Sequence, residues 1–270
     1  MVYQLIKMKK INSFFNIELE KGKKIYFSSD NHLGAPNHKE SLVREKRFTK
    51  WLDSVQETAS AIFLLGDLFD FWFEYKKVVP KGFVRVLGKL AEISDKGIPI
   101  HFFVGNHDMW MEGYFQKELG IQVYKNPKRF IINNQHFLIG HGDGLGPGDK
   151  GFKRMKKVFK NSLSKLAFRW LHPDLGVRVA QYLSTKNKLL SGVDDIEFKG
   201  EDNEWLVQYS KKILETETIE FFIFGHRHLP LEIKLSDSSK YINLGDWISY
   251  YSYAVFDGTS VELKYFKEKD

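Results

Sequence analysis

Short apolar runs separated by polar or glycine-containing turns recur along the whole chain. In the first half, strand-sized runs at Lys24 to Ser28, Ala61 to Leu65 and Ile98 to Val104 alternate with segments of helical spacing, from about Ser41 to Thr58 and from about Lys81 to Lys96. This alternation predicts a parallel sheet with covering helices. The second half carries runs at Arg129 to Ile132, His136 to Ile139, Ile219 to Phe224, Leu229 to Leu235, Tyr241 to Leu244, Tyr253 to Phe256 and Val261 to Tyr265. The turn signals Asn133-Asn134, Asp237-Ser238-Ser239 and Asp257-Gly258 leave only a few residues between neighbours, which predicts antiparallel pairs. No internal repeat or low-complexity linker is visible, so residues 1–270 read as one α/β domain.

Residues 148–190 depart from this pattern. They hold eight Lys and three Arg against Asp149 and Asp174, a net charge of +9, which leaves −2 for the rest of the chain. Phe152, Met155, Phe159, Leu163, Leu166 and Trp170 recur at spacings of three and four, which places them on one face of a helix with lysines beside and behind them. An isolated segment of this kind is ordinarily a packed helix with a solvated charged face. This one follows directly on Gly140-His141-Gly142-Asp143, so it reads as a basic, apolar-faced lid or lipid-contacting surface inserted into a non-basic body.

Composition sharpens the picture in three ways. A chain of 270 residues with 43% hydrophobic residues can build a substantial core, which excludes disorder as its main state. The formal charge of +7 suggests an anionic partner, but the basic excess is confined to one insertion and forms no stripe across several elements, so nucleic acid is not the expected one. The absence of cysteine excludes a disulfide scaffold and any thiolate-bound metal, and fits a reducing compartment. The N-terminal stretch MVYQLIKMKKINSFFNIELEKGKK breaks each apolar run before the length an export signal needs. The longest apolar runs are strand-sized, too short to span a bilayer, so any membrane contact is expected to be peripheral.

Five polar clusters follow apolar strands: Asp30-Asn31-His32, Gly66-Asp67-Leu68-Phe69-Asp70, Gly105-Asn106-His107-Asp108, Gly140-His141-Gly142-Asp143 and Gly225-His226-Arg227-His228. Ligands of open α/β sheets bind at the carboxyl ends of strands, so the five should converge on one crevice. A lone histidine at a strand end is ordinarily a hydrogen-bonded surface or core residue, and His38, His101, His136 and His172 keep that reading. Five clusters in order are a different matter. Carboxylate, carboxamide and imidazole donors suit borderline or hard divalent ions, and two such ions about 3.5 to 4 Å apart need a bridging carboxylate, for which Asp30 and Asp67 are the candidates.

This ordered set resembles the calcineurin-like metallophosphoesterase superfamily, whose pattern runs D-x-H, G-D-x-x-D, G-N-H-D/E, G-H and G-H-x-H, and the resemblance covers roughly Lys24 to Phe266. It implies a four-layer αββα sandwich of two mixed sheets. It also implies that Asp30, His32, Asp67 and His228 hold one metal and that Asp67, Asn106, His141 and His226 hold the second, both taken as Mn²⁺. Asn106 and His107 would meet the substrate phosphate, with Asp108 orienting the His107 imidazole.

Within the superfamily the Gly66 to Trp72 stretch, the basic insertion and the tail at Leu244-Gly245-Asp246-Trp247 resemble the UDP-2,3-diacylglucosamine diphosphatases of lipid A biosynthesis. Proteobacterial members carry Arg where this chain has His107. That resemblance implies a pyrophosphatase releasing UMP from a nucleotide-linked glycolipid, cytoplasmic and peripheral at the inner membrane, with Phe152, Met155, Phe159 and Leu163 lining an acyl trough. The competing readings are a nuclease, a small-molecule phosphodiesterase or phosphatase of the same superfamily, and a non-catalytic scaffold on the same fold.

Overall fold

The computed structural model describes residues 10–11, 14–148, 150–179 and 197–268. The expected insertion of 148–190 therefore lies partly outside the described residues, at 149 and from 180 onward, and so do the side chains of Phe152 and Met155.

Two mixed sheets stack face to face. In the six-stranded sheet, β3 (Lys24–Ser28), β4 (Ala59–Leu64), β5 (Ile100–Phe103) and β6 (Gln122–Tyr124) run parallel. The hairpin β12 (Ser252–Phe256) and β13 (Val261–Tyr265) extends this sheet, with β12 antiparallel to β3. The seven-stranded sheet has the order β1 (Lys10–Ile11), β2 (Phe14–Ile17), β7 (Lys128–Ile132), β8 (Gln135–Ile139), β9 (Phe221–Phe224), β11 (Lys240–Leu244), β10 (Pro230–Lys234).

The turn signals correctly predict the hairpins β7–β8, β10–β11 and β12–β13. Asn133 and Asn134, at φ 49° and 63°, supply the left-handed pair that the first of these turns needs. The centre of this sheet differs from the antiparallel expectation, because β8, β9 and β11 are mutually parallel. Their connections are long enough to cross over, and one of them carries the whole insertion.

Alternation along each strand sorts side chains between layers. Ile25 and Phe27 of β3 point between the sheets and pack with Phe63, Phe130, Phe137, Ile223 and Ile242, all buried. Tyr26 points the other way, into the layer formed with Phe48, Trp51 and Leu52 of α1 (His38–Gln56) and Leu90 of α2 (Val84–Asp95). The helix Trp205–Leu214 covers the far face of the second sheet through Leu206 and Val207 against Phe222 and Phe224. The order is helix, sheet, sheet, helix. The α1 start is fixed by Asn37, whose side chain accepts the Glu40 N–H at 3.0 Å.

The insertion differs from the single continuous helix that its spacing suggests. Its described residues form α3 (Lys150–Lys160) and α4 (Ser162–Arg169), with a further helical run over 173–179. Asn161 separates the first two because it adopts an extended backbone and caps α4, accepting the Leu163 N–H at 2.8 Å. No helix among the described residues is long and apolar enough to cross a membrane.

Candidate metal centre

The five clusters leave β3, β4 and β5 of one sheet and β8 and β9 of the other at their carboxyl ends, and cross-loop main-chain bonds stitch them together. Asp30 N–H donates to Gly66 O at 3.1 Å, His32 N–H to Asp67 O at 2.8 Å and Gly225 N–H to His141 O at 2.9 Å. Asp67 Oδ1 accepts the His107 N–H at 2.8 Å and Asp30 Oδ2 accepts the His226 N–H at 2.8 Å. Gly105 lies so close to the Asp67 carboxylate that any Cβ would overlap Oδ1, so only glycine allows the third loop to approach the second.

The backbone is strained where the chemistry is concentrated. Asp30, His32, Asp67, His226 and His228 all have φ between 45° and 69°, a region L side chains rarely occupy. Each such residue costs on the order of 1–3 kcal/mol and persists only where its surroundings over-determine it. Five of the seven expected ligands share this feature.

Three sets of side chains bring ligand atoms within 4.8 Å of one another: Asp30, His32 and His228; His32, Asp67 and His107; and Asp67, His141 and His226. His32 Nε2 lies 3.7 Å from Asp30 Oδ1, 3.8 Å from Asp67 Oδ2 and 3.1 Å from His228 Nε2. Asp67 Oδ2 is also 3.3 Å from His141 Nε2, which is 3.1 Å from Asn106 Oδ1. Asp67 thus lies between the two groups, where a bridging carboxylate would sit, and all seven expected ligands are gathered.

These residues fit divalent ions. Asp30 Oδ1 is buried with no hydrogen-bond donor, yet faces imidazole nitrogens of His228 at 3.3 Å and His32 at 3.7 Å. His141 Nδ1–H donates to Leu65 O at 2.7 Å, which leaves Nε2 as the electron-pair donor.

The electrostatics are those of a site built around positive charge. Burial by itself would raise both Asp30 and Asp67, but His228 beside the first and His141 and His107 beside the second hold them far below the ordinary carboxylate range. Burial works against charge on His141 and His228 too, yet the carboxylates of Asp67 and Asp30 push each up to about 10. His226 goes the other way, to about 4, through burial and the charge of His141. Protons on His141 and His228 would have to leave before a cation could bind them.

Asp108 departs from its expected role. Its two oxygens accept the Gly105 N–H at 2.7 Å and the Leu68 N–H at 3.0 Å, and burial with the nearby Asp67 charge raises it to about 8. It joins the second and third loops. The group beside His107 Nδ1 is Asp70, whose carbonyl oxygen lies at 2.9 Å and carboxylate at 3.7 Å. Asp70 Oδ1 also lies 3.4 Å from His32 Nδ1, and Asp246 Oδ2 lies 3.5 Å from His228 Nδ1. The sequence reading assigned neither carboxylate a role, although Asp70 ends the G-D-x-x-D cluster and Asp246 follows Leu244-Gly245.

The apolar stripe of the insertion divides. Phe159 is half-buried, with its ring 5.5 Å from Trp110 and its carbonyl accepting Trp110 Nε1 at 2.9 Å. Phe168, outside the expected stripe, packs on Phe73 at 4.7 Å and Trp110 at 5.0 Å. Lys165 and Arg169 point inward with it, 3.0 and 3.5 Å from Glu112. Leu163, Leu166 and Trp170 face outward, 73%, 49% and 81% exposed.

The calcineurin-like phosphoesterase family profile matches residues 23–230. The UDP-2,3-diacylglucosamine hydrolase of Porphyromonas gingivalis is 40% identical over 253 residues, covering 89% of this chain and 97% of the relative. The protein of the same description from Shewanella baltica is 28% identical over 230 residues, covering 82% and 88% respectively. A solved dimetal phosphatase from Danio rerio, 12% identical, covers 92% of this chain and 100% of its own, with a TM-score of 0.45. With the family profile spanning most of the chain over a completed set of clustered donors, the chain belongs to the calcineurin-like phosphoesterase family of metal-dependent phosphoester hydrolases.

Proposed function

We propose that this protein hydrolyses the pyrophosphate bond of UDP-2,3-diacylglucosamine, releasing UMP and 2,3-diacylglucosamine 1-phosphate. The observation that carries the reading is the juxtaposition of clustered candidate metal ligands with an insertion that turns apolar side chains outward beside a lysine-lined groove. Two relatives described as UDP-2,3-diacylglucosamine hydrolases support the substrate class.

Asp30, His32, Asp67 and His228 would hold one ion and Asp67, Asn106, His141 and His226 the other, and we take both to be Mn²⁺. Such ions supply Lewis-acid polarisation of phosphoryl oxygens and acidify a water for in-line attack. The water oxygen bonds to the phosphorus next to uridine, and the bond from that phosphorus to the bridging oxygen breaks with its electron pair leaving on the sugar phosphate. His107 donates Nδ1–H to Asp70 O, and with the ring protonated its Nε2–H would donate to a phosphoryl oxygen or to the departing one. Asp70 and Asp246 hold the His32, His107 and His228 rings against rotation.

The insertion accounts for the lipid. A cavity of about 490 Å³ lined by Gly144, Lys153, Lys156, Lys157, Lys160 and Asn161 offers cationic groups to phosphate. Seven of the thirteen large exposed hydrophobic side chains among the described residues lie between Val158 and Val179, so this surface is where the chain meets lipid. We place the protein peripherally at the cytoplasmic face of the inner membrane, with Leu163, Leu166 and Trp170 entering the interface, Phe159 near the acyl chains, and no nucleic acid as substrate.

The test is UMP release from UDP-2,3-diacylglucosamine with Mn²⁺, run beside a single-stranded DNA and a small chromogenic phosphodiester. Turnover of the glycolipid orders of magnitude above both controls is expected. Preferential cleavage of the DNA, or activity on the small diester alone, would overturn the substrate assignment.

A further inference from the structure

We infer that Arg227 and Glu204 form a positioning pair that ties the root of the insertion to the loop bearing His226 and His228, so that seating of the insertion and metal affinity are coupled. The inference rests on the reading of those two histidines as metal ligands.

Arg227 lies between two residues held at φ 69° and 55°. A loop with two left-handed non-glycine residues needs restraint from outside itself. Part of that restraint comes from Asp30, which accepts the His226 N–H. The contacts of the His228 ring with Asp30 and Asp246 add to it, and a further part comes from the Arg227 guanidinium. Its Nε donates to Glu204 Oε2 at 3.0 Å, and its Nη2 donates to Glu204 Oε1 at 3.2 Å and to Glu197 O at 2.6 Å. The Glu204 side chain is 4% exposed and that of Arg227 15%, so this fork engages its carboxylate largely out of water, where bidentate geometry counts most.

Glu197 and Glu204 belong to the segment that returns from the insertion to the helix Trp205–Leu214. The outgoing segment meets the same place, because Gly148 lies so close to the Trp205 ring that a Cβ there would overlap it. Leu206, one residue further on, packs on Gly142, which follows the ligand His141. Gly148 before the insertion and Glu197 after it therefore both lie against the unit formed by residues 204–206 and Arg227, and residues 204–206 touch both ligand loops of the seven-stranded sheet. Arg227 links this junction to the strained turn.

The experiment uses the full chain stripped of metal and titrated with Mn²⁺ by calorimetry. The double variant Arg227→Gln with Glu204→Gln removes the ion pair without leaving a buried carboxylate alone. Partners of metal-ligand loops are worth about 10–100-fold in affinity, so Mn²⁺ binding should weaken about tenfold while the melting temperature of the metal-free chain stays close to the parent's. Proteolysis within the insertion should accelerate in the same variant. Arg227→Lys should fall between, because an ammonium cannot reproduce the fork, and it carries the test if the double variant does not fold. Unchanged Mn²⁺ affinity, or a lower metal-free melting temperature with affinity preserved, would overturn the inference. His228→Ala is the control: if it too leaves Mn²⁺ affinity intact, the reading of the metal centre has failed rather than the pair.

Discussion

Asp30, His32 and Asp67 expose at most 1% of their surface, and each of their loops is bonded to at least one other through main-chain groups. From 22 residues after His141 the situation reverses: Leu163, Leu166 and Trp170 stand in solvent while Lys165 and Arg169 turn inward to Glu112. The first region spends backbone strain to fix its side chains. The second docks through Phe168 and leaves the apolar side chains of Leu163, Leu166 and Trp170 uncovered. A catalytic centre needs geometry determined before substrate arrives, whereas a lipid-contacting surface is completed by what it meets.

The sharpest way to break this comparison is at the shared carboxylate. Asp67→Asn keeps the shape but removes the charge between the two ligand groups, and metal-borne stabilisation is worth several kcal/mol. Activity should fall at least about a thousandfold, with the fold intact by circular dichroism. Near-normal turnover would remove Asp67 from the bridging role.

Gly105→Ala probes the same region without touching a ligand. The new Cβ must displace the Asp67 carboxylate or the third loop, and a shift of about 1 Å can cost about a hundredfold. Loss of turnover on both glycolipid and small diester is expected. An unaffected rate would mean that the loops yield more than their bonding suggests.

The contrast also explains what could be read in advance. Metal motifs are short and their donors carry chemistry wherever they occur, so the five clusters were legible in the sequence, the family resemblance picked out Asp30, His32, Asp67, Asn106, His141, His226 and His228 among them, and the structure brings these side chains together. The carboxylates that hold their rings were harder to read, since Asp246 lies far along the chain from His228 and reaches it only through strand order. Left-handed backbone at five donors has no signature in residue type, because none of the five is glycine. In the insertion, spacing identified an apolar stripe but not its direction. Asn161 restarts the helix, and the position that docks is Phe168, whose neighbours Phe71, Phe73 and Trp110 come from distant segments.

Acid should affect the body where no ligand is involved. His101 is buried against Phe63, with Nδ1 3.1 Å from Tyr124 Oη, and burial lowers it to about 4. An imidazole whose folded value lies below the unfolded one, about 6.5, is protonated more readily in the unfolded chain, so stability is lost as pH falls from about 6.5 towards 4. Between pH 7 and pH 5 this site should cost about 2 kcal/mol, read as a drop in the urea midpoint. His101→Phe should flatten that part of the dependence. An unchanged slope would assign the acid sensitivity to other groups.

The smallest expected effect bears on the insertion alone. Replacing Leu163, Leu166 and Trp170 together with Ser removes the outward ridge but leaves Phe168, Lys165 and Arg169 in place to hold the helix on Trp110 and Glu112. If the ridge enters a lipid phase, KM for diacylated substrate in anionic vesicles should rise about tenfold, equivalent to ~1.4 kcal/mol and less than full burial of a single leucine. Co-sedimentation with those vesicles should fall in parallel, and hydrolysis of the small diester should hold, because no residue near Asp67 has changed. Equal losses on both substrates would show that the ridge supports the metal centre and that the two regions are one. Unchanged KM and vesicle binding would leave the outward leucines and tryptophan to contact another protein surface, with the lysine groove alone meeting the substrate.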